Sequence, residues 1–394
     1  MKRVLRIINR PAIGGPILNA TLLARHLGPE FETLLVAGSC ETHEAEATDL
    51  LEGLNCIRMD SMGRSINPLK DVLAYSALRK LIREYRPHIV HTHAAKPGAL
   101  GRLAAKAEGV PVIVHSFHGH VFHSYFNPLK NRIFLGIERY LAKISDAIIA
   151  ISPEQKLELS EQFRVASADK FRMIPLGFDL DKFSSDQEQK RTRFRSELGI
   201  AADVVVITLT GRLVPIKHHA FFLQAFKKLL GTTDRKVLAV FVGDGESRSS
   251  IETLADSLGI RFTSLGAQDS NTELILTSWR TDIDVVNAGS DIVALSSLNE
   301  GTPVSLIEAS AASKPVVSTH IGGVASVVKE GVSGFLIECG DADAFATRLN
   351  QLVSDPALRA EFGQAGAEHV RSKFAYQRLV SDMSALYHEL LKFK

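Results

Sequence analysis

Glu300 and Glu308 stand in the segment LNEGTPVSLIEAS (298–310), with seven residues between them. An ionised carboxylate only accepts hydrogen bonds, and the hydroxyls of a sugar or a ribose are donors. Thr302 is expected to cap a helix, with Pro303 at its first position. That places Glu300 in a loop, Glu308 in the second helical turn, and the N–H groups of Thr302 to Ser305 at a helix end that attracts anions. Two carboxylates beside such an end suit a nucleotide-sugar, phosphate on the N–H groups and hydroxyls on the carboxylates. A capping glutamate followed by a solvated one would have the same spacing.

Three other loops carry usable chemistry. In GRLVPIKHH (211–219), Arg212 and Lys217 follow a strand and precede a helix. Arg bridges two oxygens and Lys adds a point charge, so the pair suits a diphosphate, although surface cations look alike in sequence. Gly14-Gly15 follows the first strand and allows close backbone approach to an anion. It is also what a plain turn contains, and without G-x-G-x-x-G the dinucleotide fingerprint is absent. In HSFHGHVFH (115–123), His118 sits just past a strand, as one functional histidine or a structural one. No carboxylate is spaced to complete a metal site, and strand alternation would scatter these rings.

The elements that must hold these loops alternate. Apolar runs at 4–9, 31–38, 88–93, 111–117 and 146–152 read as strands, with helices at 17–27, 68–85 and 98–109 between them. After a polar stretch at 174–198, read as the interdomain linker, strands resume at 204–211, 236–243, 291–297, 315–320 and 334–339. Helices are clearest at 220–230 and 305–312, and a last one covers about 375–391. Residues 263–276 read as an irregular insertion. Continuous apolar strands alternating with helices predict an α/β fold of two doubly wound parallel-sheet domains. Ligands of such sheets bind beyond the carboxyl ends of the strands.

Composition bounds the rest. The 394 residues suit two domains, and 45% hydrophobic with 23% charged residues excludes a disordered chain. With 46 basic against 44 acidic side chains, a dedicated nucleic-acid binder is excluded. Residues 1–175 carry 23 basic and 17 acidic side chains, and the remainder 23 and 27, which hints at an anionic partner for the first half. The three scattered cysteines predict free thiols and a cytoplasmic location. No apolar window is long enough to cross a membrane. Residues 121–143 interleave Phe122, Tyr125, Phe126 and Phe134 with Lys130, Arg132, Arg139 and Lys143, as a membrane-surface helix or an ordinary buried one would.

Taken in order, Gly-Gly, HG after a middle strand, GRLVPxK, VGDG (242–245), EGTPVSLIEA and IGG (321–323) resemble a family 4 retaining glycosyltransferase of the GT-B fold, over nearly the whole chain. The resemblance implies two Rossmann-like domains facing across a cleft: an acceptor-side domain of 1–175 plus the C-terminal helix 376–394, and a donor-binding domain of 176–375. It implies that Arg212 and Lys217 hold the donor diphosphate, that Glu308 takes the ribose hydroxyls and that Glu300 contacts the sugar. Thr302, Pro303 and Val304 would line the pocket, Gly14 and Gly15 would close over the diphosphate, and His118 would hydrogen-bond the sugar. The segment from Trp279 through Arg280 to Ile283 would present backbone to the base. Ile216 stands where a glutamate is common, and Ala325-Ser326 replace a frequent Pro-Glu. No metal or other cofactor is implied, so Asp179/Asp181 and Asp282/Asp284 are expected to be loop residues. The implied reaction moves a hexose or N-acetylhexosamine, from a UDP-sugar by preference, to a glycan or lipid-linked acceptor, with peripheral contact to an anionic inner membrane. An epimerase or hydrolase of the same shape, or a non-catalytic nucleotide-sugar binder, is compatible with the same residues.

Overall fold

A computed structural model describes residues 1–12, 15–40, 46–63, 65, 67–118, 128–264 and 271–394, with only the backbone described at 128–130. Gly14, Phe122, Tyr125, Phe126 and the Lys130 side chain thus lie outside the described residues. The chain forms two units, Met1–Phe178 with Phe374–Lys394, and Asp179–Lys373.

The first unit runs β1 (Lys2–Ile8), α1 (Gly15–His26), β2 (Phe31–Ala37), β3 (Cys56–Arg58), α2 (Pro68–Tyr85), β4 (Ile89–His93), α3 (Ala95–Ala107), β5 (Val112–Ser116), α4 (Pro128–Lys143), β6 (Ala147–Ala150), α5 (Pro153–Leu157) and β7 (Phe171–Met173). Its parallel sheet has the order β3-β2-β1-β4-β5-β6-β7. Helix starts follow local chemistry. Asn67 caps α2 by accepting from Lys70 N at 3.1 Å, ahead of Pro68, and Ser152 caps α5 ahead of Pro153.

The second unit runs α6 (Gln187–Glu197), β8 (Val205–Thr210), α7 (His219–Leu230), β9 (Val237–Val242), α8 (Arg248–Ser257), β10 (Phe262–Ser264), β11 (Leu274–Leu276), α9 (Ile283–Gly289), β12 (Ile292–Leu295), α10 (Val304–Ala311), β13 (Val316–Thr319), β14 (Gly334–Ile337), α11 (Ala342–Ser354) and α12 (Pro356–Phe374). The sheet order is β10-β11-β9-β8-β12-β13-β14, again parallel. Both faces are covered. Val205, Ile207 and Leu209 of β8 enter one core with Phe222 and Phe226, while Val206 enters the other with Phe194. The last helix, α13 (Tyr376–Leu391), belongs to the first unit, where Leu379, Met383, Leu386 and Tyr387 join the core over β1, β4 and β5.

In each sheet the chain order reverses beside one strand, between β1 and β4 and between β8 and β12. Such a switch point, beyond the carboxyl ends of the strands, is where open α/β sheets bind their ligands. The loop after β8 carries Arg212 and Lys217, and the loop after β12 carries Glu300 and Thr302.

Several sequence readings need correction. Half of the polar stretch 174–198 is α6, whose Phe194 is fully buried and whose Arg195 pairs with Asp291 at 2.6 Å. The ends of the 263–276 segment are not irregular, since β10 and β11 pair in parallel there, while 265–270 lie outside the described residues. Thr302 does not cap α10. Pro303 takes that position in extended backbone, at φ −73° and ψ 105°, and no side chain caps the helix. Because the chain turns helical only after the proline, Thr302 stays in the loop.

Candidate functional site

The phosphate-side loops of the second unit are held by backbone contact. Gly211 N donates to Val242 O at 2.9 Å and Leu213 N to Asp244 O at 3.0 Å, tying the loop after β8 to VGDG after β9. A Cβ on Gly243 would come within 2.0 Å of Gly211 O, so only glycine fits behind this loop. Asp244 fastens a third loop. It accepts from Ser278 Oγ at 2.8 Å and pairs with Arg248 at 3.0 Å, and these donors hold its carboxyl below the usual range.

Arg212 is exposed, and among the described residues its guanidinium has no partner. Lys217, at the end of a short 3-10 turn, reaches Glu300 Oε1 at 2.5 Å, and Ser297 Oγ donates to the same oxygen at 2.7 Å. Ser296 Oγ donates to Lys217 O at 2.9 Å and Leu298 N to Ile216 O at 2.8 Å, lacing the two switch-point loops together. The IGG turn supports Glu300 from behind. Gly323 N donates to Glu300 O at 3.2 Å, and a Cβ on Gly322 would sit 1.9 Å from that oxygen.

The N–H groups that open α10 are uncapped and so available to an anion. Glu308 lies one turn in. Burial pushes its carboxyl up to about 7, with Asp284 adding to the rise and Lys182 opposing it. Among the described residues it has no hydrogen-bond partner. Arg280 is differently placed. Its guanidinium pairs with Glu197 at 2.5 Å and Asp282 at 2.8 Å and lies over the Phe194 ring, so only its backbone is open to a ligand. Trp279 beside it is 62% exposed. Asp282 and Asp284 face Arg193 and Lys190, and Asp179 accepts from Asp181 N.

In the first unit His118 follows β5. Its Nε2 lies 2.8 Å from His93 Nδ1, and burial, reinforced by the Arg6 charge, pushes its pKa down to about 4. Its Nδ1 is buried and has no partner among the described residues. His93 stacks on His91, ring centroids 4.3 Å apart, and Arg6 lies against both. Gly15 opens α1, and among the described residues a Cβ on it would meet only Leu176, at 3.6 Å.

Comparison with known proteins resolves the family. The profile described as Glycosyltransferase Family 4 matches residues 20–182, and that described as Glycosyl transferases group 1 matches residues 190–369. A galactosyltransferase of Escherichia coli, named for UDP-Gal and GlcNAc-diphosphoundecaprenol, is 31% identical over 79% of this chain and 78% of its own length. The chain is a family 4 glycosyltransferase.

An N-acetyl-alpha-D-glucosaminyl L-malate synthase of Bacillus anthracis is 28% identical to this glycosyltransferase over 82% of the chain and 81% of that protein. Among solved structures, a glycosyltransferase from Rickettsia africae superposes with a TM-score of 0.81 at 20% identity, covering 100% of this chain and 99% of that one. HepE of Anabaena, solved with UDP, gives 0.80 at 20% identity, covering 99% and 100%. At that identity the likeness concerns the GT-B fold. The glycosyltransferase also has polar groups near these loops that sequence reasoning passed over: Asp244, Ser297, Arg6, His91 and His93. One signal for the histidines was present. The alternation in HIVHTH puts His91 and His93 on one strand face.

Proposed function

We propose that this glycosyltransferase moves a hexose or N-acetylhexosamine from a UDP-sugar to a hydroxyl of a lipid-linked or envelope glycan acceptor, with retention at the anomeric carbon. The observation that carries this reading is a pair of groups at one switch point, the exposed guanidinium of Arg212 and the half-buried carboxyl of Glu308, neither of which has a partner among the described residues. One wants an anion and the other wants hydroxyl donors, and a nucleoside diphosphate supplies both. The UDP bound to HepE and the donor and acceptor in the name of the E. coli relative support the donor and acceptor classes.

In this reading the diphosphate lies against Arg212, Lys217 and the uncapped N-terminus of α10, which neutralise the charge that builds on the leaving group. Glu308 accepts from the ribose, and Glu300 and the Thr302–Val304 backbone contact the sugar. The Trp279–Ile283 backbone serves the base, and in the first unit His118 contacts a substrate oxygen. Protein cations do the neutralising, so the scheme calls for no metal. The bond from the anomeric carbon to the phosphate oxygen breaks, and the acceptor oxygen bonds to the same face. The departing phosphate takes the acceptor proton. On α4, Ile133, Ile137 and Tyr140 are exposed on one stripe near Arg132 and Lys143, which suits an anionic membrane holding a lipid-linked acceptor.

A thermal-shift panel of UDP-, GDP- and ADP-sugars tests the donor. Ligand at 100 times its Kd stabilises the native state by about 2.7 kcal/mol. A UDP-sugar should raise Tm most, and no response to any nucleotide-sugar would overturn the proposal.

A further inference from the structure

Among the described residues, the first unit buries an arginine with no carboxylate paired to it. Arg6 in β1 is completely buried, and its described side-chain partners are two imidazoles and a phenol. It shares a sheet face with His91 and His93 of β4 and Ser116 of β5, under Tyr387 of α13. A buried cation that lacks an anion is costly to keep unless it does something its neighbours need.

Its position decides where protons sit. A guanidinium can only donate. Arg6 Nη1 lies 3.1 Å from His93 Nε2, so that nitrogen must be bare and the ring proton must sit on Nδ1. His93 Nδ1 lies 2.8 Å from His118 Nε2 and donates to it. The Nε2 of His118 is therefore an acceptor, and the proton of that ring sits on Nδ1. The second branch obeys the same logic. Arg6 Nη1 donates to His91 Nδ1 at 2.9 Å, and His91 passes its Nε2 proton to Ser116 Oγ at 2.8 Å. Tyr387 accepts from Arg6 Nη2 at 3.1 Å, and its hydroxyl, 2.6 Å from His91 Nδ1, competes with Arg6 Nη1 for the single lone pair there. The branch from Arg6 through His93 to His118 thus has one consistent assignment, which runs outward from Arg6.

We propose that Arg6 and His93 lock His118 as the Nδ1–H tautomer, so that Nδ1, which has no partner among the described residues, serves as a fixed hydrogen-bond donor to a substrate oxygen and not as a general base. Arg6 and His93 are positioning residues in this scheme. Burial and the Arg6 charge keep all three imidazoles neutral in the ordinary working range. A donor can hold a sugar oxygen but cannot take the proton of an acceptor hydroxyl, which leaves that proton to the departing phosphate. Only the identity of the ligand rests on the function proposed above. The proton assignment does not.

The test is nitrogen NMR on the full chain with 15N-labelled histidine at pH 7.5, His118 being assigned by the signals lost in His118→Asn. A protonated, pyrrole-type Nδ1 and a bare, pyridine-type Nε2 are expected, and a proton on Nε2 of His118 overturns the inference. His93→Phe removes the donor, so His118 should gain Nε2–H population and kcat should fall about 10-fold or more, with donor KM unchanged. His93→Asn, which restores an amide donor there, should recover most of the loss. Unchanged His118 signals in a folded His93→Phe also overturn the inference, and the wild-type spectrum decides it should that variant not fold. Nucleotide-sugar binding measured alongside keeps the two proposals separable, because its absence removes the assigned ligand and leaves the tautomer readable.

Discussion

Arg212 and Lys217 are both cations in one loop, but their surroundings differ. Arg212 is exposed and has no partner among the described residues, so Arg212→Ala should leave stability within about 0.5 kcal/mol while lowering kcat about 10²–10³-fold. Lys217 also neutralises Glu300. Lys217→Ala should show a similar loss of turnover with an added stability cost of about 1 kcal/mol. Melting curves beside steady-state kinetics separate the two, and near-normal kcat in either variant removes the diphosphate role. Glu308 gives a pH signature. Its native pKa of about 7 lies above the ordinary 4.5, so between those values the folded chain keeps a proton that the unfolded chain has lost. Stability from this group therefore falls as pH rises through the window, reaching a cost on the order of 1–3 kcal/mol above it. Glu308→Gln should raise Tm by a few degrees at pH 8 and leave it unchanged at pH 4, while weakening donor binding about 10-fold. A Tm gain equal at both pH values would show that the carboxylate is not strained by burial.

At the scale of elements, the site depends on backbone packing between loops that leave neighbouring strands. Gly243→Ala would drive a methyl into Gly211 O and must move the Arg212 loop. It should cost about 2–4 kcal/mol and raise donor KM more than it lowers kcat. Unaltered donor affinity would mean that the VGDG turn is not the support described here. Much of this layout was legible because it is local. Strand, loop and helix alternate within short windows, and Glu300, Glu308, Arg212 and Lys217 are fixed by the loops they occupy. What escaped was either too short or too distant. The strands β3, β7, β10 and β11 have three residues each, too few to show a period. In α6 the sequence QEQKRTRFRSE buries little beyond Phe194 and Arg195, so a helix looked like a linker. Thr302 and Pro303 fitted two capping registers that sequence does not separate. The Arg6 cluster joins residues 85 and 296 positions apart, so no local pattern could announce it.

At the scale of the molecule, the first unit is sequence-discontinuous. Removing 376–394 would strip Leu379, Met383, Leu386 and Tyr387 from its core, each a large buried side chain. At about 2–5 kcal/mol apiece this exceeds the stability of an ordinary domain. The truncated chain should lose protease resistance in residues 1–178 and keep it in 187–373, and resistance in both would contradict the packing described. The α4 stripe has its own test. Sedimentation with anionic liposomes at low salt should carry the full chain down, and an Ile133→Ser/Ile137→Ser variant should stay in the supernatant. No binding by the parent protein would dismiss membrane contact and leave the transferase intact.

The discontinuity also orders the birth of the protein. Domains generally fold as units while the ribosome works from the N-terminus, but here the earlier-made sheet must wait for a helix encoded after everything in Asp179–Lys373. The later-made, contiguous lobe can therefore finish first, and the nascent first lobe stays open, with Arg6 uncovered by Tyr387, until the last helix emerges.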